Sequence, residues 1–89
     1  MNITTTEIDN ELIVNIDASH ISEHNKDKFI QYKIKCLIRN TNKKKSNCYC
    51  YLKKINTHYP EFAEKYKEYH YYNNIWLKYK SGDYKLNVS

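Results

Sequence analysis

The sequence predicts an α+β domain in which a small antiparallel sheet of hairpins, in the order ββ-ββ-α-ββ, packs in two layers on one helix. Three observations carry that prediction. Residues 29 to 39 alternate between apolar and polar side chains, Tyr59-Pro60-Glu61 opens an apolar stripe at spacings of three and four, and Ser81-Gly82 separates two alternating runs that mirror each other. The 89 residues allow a single small domain, 1–89, whose fold removes only about 60 to 65% of the unfolded chain's surface from water. Ten of the residues counted as hydrophobic are tyrosines, so the core is small and partly phenolic.

At the N-terminus, Ile3 to Ile8 and Leu12 to Ile16 are expected to pair across Asp9-Asn10. The Leu12, Val14, Ile16 face is sound, while the threonine-rich first arm has strand propensity but a poor apolar face. A polar link runs from Ser19 to Asp27. Residues 26–56 then read as a basic hairpin. Ile30, Tyr32, Ile34, Cys36 and Ile38 share one parity, and Cys48, Cys50 and Leu52 continue it beyond a polar loop, Asn40 to Asn47, with Lys43-Lys44-Lys45 at its tip. A helix would use Ile30, Ile34, Leu37 and Ile38 but leaves Tyr32 and Cys36 off its stripe, so the strand is preferred. Pairing Ile38 with Cys50 and Cys36 with Leu52 keeps one face dry. The other face then collects Lys33, Lys35, Leu37, Arg39, Tyr49, Tyr51 and Lys53.

Pro60 suits the first position of a helix expected over 60–72, with Phe62, Ala63, Tyr66, Tyr69 and His70 on its stripe and Asn73-Asn74 ending it. Residues 75–88 read as a second hairpin turning at Ser81-Gly82, which sets Tyr79 opposite Tyr84, Leu77 opposite Leu86 and Ile75 opposite Val88.

Charge is divided along the chain. Residues 1–25 form an acidic arm with five carboxylates and no base. Lys26 to Pro60 holds ten bases against Asp27 alone, and the last 29 residues carry five lysines against four acids. The formal charge of +5 therefore belongs to the middle third, unless the acidic arm lies across it.

Several chemistries are disfavoured. A single glycine and a single proline exclude phosphate-cradling glycine loops and Pro-rich linkers. Cys48-x-Cys50 with His20-x3-His24 is tighter than the ligand spacing of zinc sites and in reversed order, so Cys36, Cys48 and Cys50 are expected in the core, with no metal and no cofactor. No thiol or hydroxyl is paired by spacing with a histidine, and no enzymatic activity is expected. The aliphatic runs are three residues long, far short of the roughly 18 to 20 that span a bilayer, so no membrane partner is expected. The odd number of cysteines and the absence of a basic leader point to the cytoplasm or nucleus rather than secretion.

What remains is a binding protein. Lys33, Lys35, Arg39, Lys43, Lys44, Lys45, Tyr49, Tyr51 and Lys53 combine phosphate-neutralising cations with rings on which bases stack, the ingredients of a nucleic-acid surface. Trp76, Tyr71 and Tyr72 form a separate expected protein interface, with Trp76 facing out beside Lys78 and Lys80. The rival expectation is an inhibitor or adaptor that docks on a nucleic-acid-handling or defence protein. The skew toward Lys, Asn, Ile and Tyr, which A+T-rich codons encode, fits a virus or phage. Exposed sheet edges make a homodimer a further expectation.

Overall fold

A computed structural model describes residues 3–89. Strands β1 (Ile3–Ile8) and β2 (Glu11–Ile16) pair antiparallel, Ile3 opposite Ile16 and Ile8 opposite Glu11. The turn between them is the one expected: Asp9 and Asn10 adopt φ of 50° and 65°, the left-handed pair that closes a two-residue hairpin and that Asp and Asn tolerate. Helix α1 (Glu23–Lys54) follows, then a five-residue connection and helix α2 (Pro60–Ser81), and finally β3 (Lys85–Val88). β3 returns parallel to β2, pairing Leu86 with Val14, so the sheet is mixed and its order is β1-β2-β3. The class is α+β.

The layout between the ends differs from the sequence expectation. Residues 26–56 are not a basic hairpin, and Asn40 to Asn47 is not its loop: the span is helix as far as Lys54. Ile30, Ile34 and Ile38 satisfy both readings, because a step of four is two strand periods and also close to one helical turn. Only the residues between them discriminate. Tyr32 is 61% exposed, outside the core that a strand would have given it. The stripe that faces inward is Ile30, Ile34, Leu37, Thr41, Cys48 and Leu52, alternating by threes and fours across a gap at Lys44-Lys45. Thr41 is buried in it because its hydroxyl donates to the Leu37 carbonyl at 2.8 Å, leaving no polar atom unmatched.

The same ambiguity hides the second half of α2. Ile75 and Tyr79 fit strand and helix alike, whereas Leu77, which the hairpin needs inside, is 50% exposed. The helix begins at Pro60 as expected but runs through Asn73-Asn74 to Ser81, so it does not end at Tyr72 and there is no hairpin over 75–88. Gly82 does mark a turn, as a helix terminator: at φ 77° it lets the Asp83 amide donate back to the Lys78 carbonyl at 2.9 Å. Chain direction then reverses and β3 reaches β2 from the parallel side.

The core sits at one end. Leu12, Val14, Ile16 and Tyr79 are buried together, flanked by Ile3, Phe29, Ile30, Ile34, Leu37, Ile38, Ile75 and Tyr84. The sheet thus covers the first half of α1 and the last half of α2, rather than lying on a single helix. The Tyr79 hydroxyl shares a 2.7 Å hydrogen bond with Thr5 Oγ1, which ties α2 to β1. With 32 residues, α1 is about 48 Å long, close to the 54 Å length of the molecule. The connected ends of α1 and α2 therefore project beyond the sheet.

Candidate nucleic-acid interface on the helical pair

The two helices run antiparallel, as the cross-contacts require: Tyr51 meets Glu61, Cys48 meets Glu68, and Lys45 meets Trp76. Two broad surfaces result, one on the β1 side and one opposite.

On the surface away from β1, Lys35, Ile38, Arg39 and Asn42 of α1 and Trp76 and Lys80 of α2 line an open cleft of about 390 Å³. Lys45 places its Nζ 3.6 Å from the centre of the Trp76 ring, and Lys80 places its own at 4.7 Å. These are cation–π distances, and they hold two ammonium groups over the only tryptophan of the chain. Among the described residues no carboxylate lines this cleft, and none of the acidic arm reaches it.

Toward the projecting end the same surface turns aromatic. Lys53 Nζ lies 4.5 Å over the Tyr49 ring, and Tyr49 lies 5.9 Å from Tyr69. From Tyr69 the rings continue to His70 at 5.8 Å, to Tyr66 at 4.5 Å from His70, and to Phe62 at 6.1 Å from Tyr66. Tyr49 and Tyr66 are each nearly half exposed.

Acids gather along the first half of α2. Glu61, Glu64 and Glu68 follow one another at three and four residues along α2. Glu61 accepts from the Tyr51 hydroxyl at 3.3 Å, and Glu68 accepts from Lys65 at 3.2 Å and from the Cys48 thiol at 3.6 Å. Burial, followed by this carboxylate, pushes the Cys48 thiol up from its ordinary value, while Glu68 raises the Lys65 ammonium. A second cavity of about 410 Å³ opens between β1 and the helices, lined by Thr5, Glu7, Lys44, Tyr71, Tyr72 and Tyr79 among others. Burial first, and the Glu7 carboxylate second, raise the Tyr71 phenol.

The sequence-derived residues are thus redistributed. Lys35, Arg39 and Lys45 converge on Trp76, which the sequence reading assigns to a different interface, and Tyr49 and Lys53 extend the same surface. Lys33 and Lys44 turn to the β1 side, lying 5.5 Å over Phe29 and 5.7 Å over Tyr72. Tyr51 points to Glu61, and Lys43 is exposed on α1. Tyr71 and Tyr72 stand on the opposite surface from Trp76 and form no joint patch with it. The strand-face grouping of Lys33, Lys35, Arg39, Tyr49, Tyr51 and Lys53 does not survive whole: Lys33 and Tyr51 leave it, because helical geometry rotates neighbours of equal parity by about 200°. Asn42, Lys80, Tyr66, Tyr69 and His70 join the surface instead. The signal for Lys80 is its i, i+4 spacing from Trp76, and Tyr66, Tyr69 and His70 already stand together on the stripe expected for the helix from Pro60.

The cysteines correct another expectation. Cys48 is buried between the helices, but Cys36 is only partly covered and Cys50 is exposed, and all three are free thiols. Among the described residues no three His, Cys, Asp or Glu side chains converge on a point, and no helix is long and apolar enough to cross a membrane. Comparison with protein-family models, with curated proteins and with solved structures returns no match.

Proposed function

We propose that this chain is a non-enzymatic binding module, working in the cytoplasm or nucleus, that engages nucleic acid through the surface of the helical pair opposite β1. One observation carries the reading: Lys35, Arg39, Lys45 and Lys80 surround Trp76 with no carboxylate among the cleft's lining residues. Four cations left without acidic partners are a standing electrostatic attraction for a polyanion, and an aromatic floor beneath them adds a surface for a base or sugar. Past Asp27, α1 carries nine bases and no acid, so the field extends along the helix.

Fluorescence anisotropy with a labelled oligonucleotide tests it. At 50 mM salt the wild-type chain binds, and Lys35→Glu with Arg39→Glu loses at least tenfold in affinity while keeping its helical circular dichroism. Absence of binding to any single- or double-stranded probe refutes the proposal.

A second reading, docking on a nucleic-acid-handling or defence protein, has one observation in its favour. Tyr71 is 52% exposed at the 410 Å³ cavity, whose lining includes the Glu7 carboxylate. An exposed aromatic side chain beside a cavity is the kind of anchor that protein interfaces use. Tyr71→Ala separates the readings: it abolishes a protein contact centred there and spares binding through the Trp76 surface.

A further inference from the structure

We infer, building on the nucleic-acid reading, that the ligand is a single strand, laid lengthwise along the helical pair with its bases on the ring series and its phosphates on the flanking cations. The juxtaposition behind this is Trp76, Tyr69, Tyr49, His70, Tyr66 and Phe62 on one surface, with Lys35, Arg39, Lys80 and Lys53 beside them.

A duplex uses such a surface poorly. Its bases are stacked on one another and offer only polar edges in the grooves, so Tyr49 and Tyr66 would face phosphate and sugar. An unpaired strand offers a π-face from every base, and stacking on an aromatic side chain is tolerant of sequence. These rings lie where stacking needs them. None of them belongs to the core; Tyr49 and Tyr66 are 47% and 49% exposed and His70 is exposed, while Trp76, Tyr69 and Phe62 are half-buried along the seam between the helices. Their present covers are displaceable. Lys45 over Trp76 and Lys53 over Tyr49 hold ammonium groups where a base would lie. Each can swing its flexible stem aside and pair with the phosphate of the nucleotide that replaces it.

Geometry also sets the length. Phe62 and Trp76 are fourteen residues apart on one helix, about 21 Å. That corresponds to a footprint on the order of four to six nucleotides, at the short end for single-strand sites. Four of the cations, Lys35, Arg39, Lys45 and Lys80, gather at the Trp76 end and Lys53 alone stands at the aromatic end, so phosphate contacts concentrate near Trp76.

The test uses Trp76 itself, the only tryptophan. The full chain is titrated with a twelve-nucleotide oligo-dT, with oligo-U of the same length, and with a twelve-base-pair mixed-sequence duplex. Tryptophan emission and the anisotropy of a labelled probe are read together. Single strands are expected to quench Trp76 and to bind at least tenfold more tightly than the duplex. Tyr66→Ala and Tyr49→Ala, both at exposed positions, each lower single-strand affinity by about 5- to 150-fold and leave duplex binding unchanged. Equal or tighter duplex binding, single-strand binding without quenching, or indifference to both tyrosine variants overturns the inference while leaving the nucleic-acid reading intact. Failure of all three probes at 50 mM salt removes that reading, and this one with it.

Discussion

On the proposed nucleic-acid reading, the charge on the Trp76 surface sets how steeply binding weakens with salt. Five cations lie along it: Lys35, Arg39, Lys45, Lys53 and Lys80. If each neutralises one phosphate of a single strand, counterion release gives a slope of log affinity against log salt of about −3.5, at roughly −0.7 per contact. Between 50 and 200 mM salt that is a loss of about 100-fold. Replacing Lys35 and Arg39 by glutamine removes two contacts, flattens the slope to about −2.1, and reduces the loss to roughly 20-fold. The control is Lys33→Gln with Lys44→Gln, which changes net charge equally but acts on residues engaged with Phe29 and Tyr72 on the β1 side. Anisotropy titrations at four salt concentrations read all three slopes. Equal flattening by both double variants would mean that the field of the whole chain, and not this surface, holds the ligand, and the site assignment would fail.

Three further expectations concern the fold beneath the site. Ile16 is 1% exposed at the centre of the core, so Ile16→Ala costs about 2 to 5 kcal/mol, measured by urea denaturation; a loss under 0.5 would show that the sheet does not pack as described. Gly82 holds φ 77° with open space where a Cβ would go, so Gly82→Ala costs about 1 kcal/mol through backbone strain alone, and the midpoint shifts without a change in denaturant dependence. Burial raises the phenol of Tyr79 and the thiol of Cys48 above their ordinary values. The folded state therefore keeps those protons at a pH where the unfolded state has released them. Stability is complete below the ordinary thiol range and falls as pH rises through it and through the phenol range. Tyr79→Phe removes the phenol's share of that alkaline loss, seen as a flatter melting temperature above about pH 10.

The parts legible in the sequence were those with local chemistry of their own. Asp9-Asn10 announced a left-handed two-residue turn, Pro60 announced a helix start, and Gly82 announced a chain reversal. The α1 span was not legible, because its inward stripe is interrupted by Thr41 and then by Lys44-Lys45, where a helical pair ordinarily shows leucine or isoleucine. With those gaps, the alternation of Ile30, Tyr32, Ile34, Cys36 and Ile38 outweighed the helical pattern. The discriminating facts are tertiary: Lys45 is accommodated by Trp76, and Thr41 by the Leu37 carbonyl one turn back. The site inherited the error. Lys35 with Arg39 and Tyr49 with Lys53 are spaced by four, a step that strand and helix share, so both readings join them; the strand's step of two adds Lys33 and Tyr51, which the helix turns away, and strand parity has no step that brings Trp76 of the other helix to Lys45.

The same polar gaps connect the fold to its proposed work. Away from the sheet, the inner faces of the helices offer Lys45, Cys48, Leu52, Lys65, Tyr69 and Phe62, a seam with little aliphatic surface. Cation–π and carboxylate contacts fill it: Lys45 over Trp76, Lys65 over Tyr51 and bonded to Glu68, and Cys48 donating to Glu68. Such partly exposed contacts contribute about 1 kcal/mol or less apiece, so the projecting end is held far less firmly than the core and opens locally at low cost. A strand lying along the surface opposite β1 touches both helices, through Arg39 and Tyr49 on one and Trp76 and Tyr66 on the other. It therefore supplies the projecting end with the cross-helix contacts that the sequence leaves sparse, and part of its binding free energy goes into ordering that end. A lysine at the seam where a leucine would have stabilised the free protein is consistent with that division. It weakens the unbound pair and leaves an ammonium beside the tryptophan for the ligand to use.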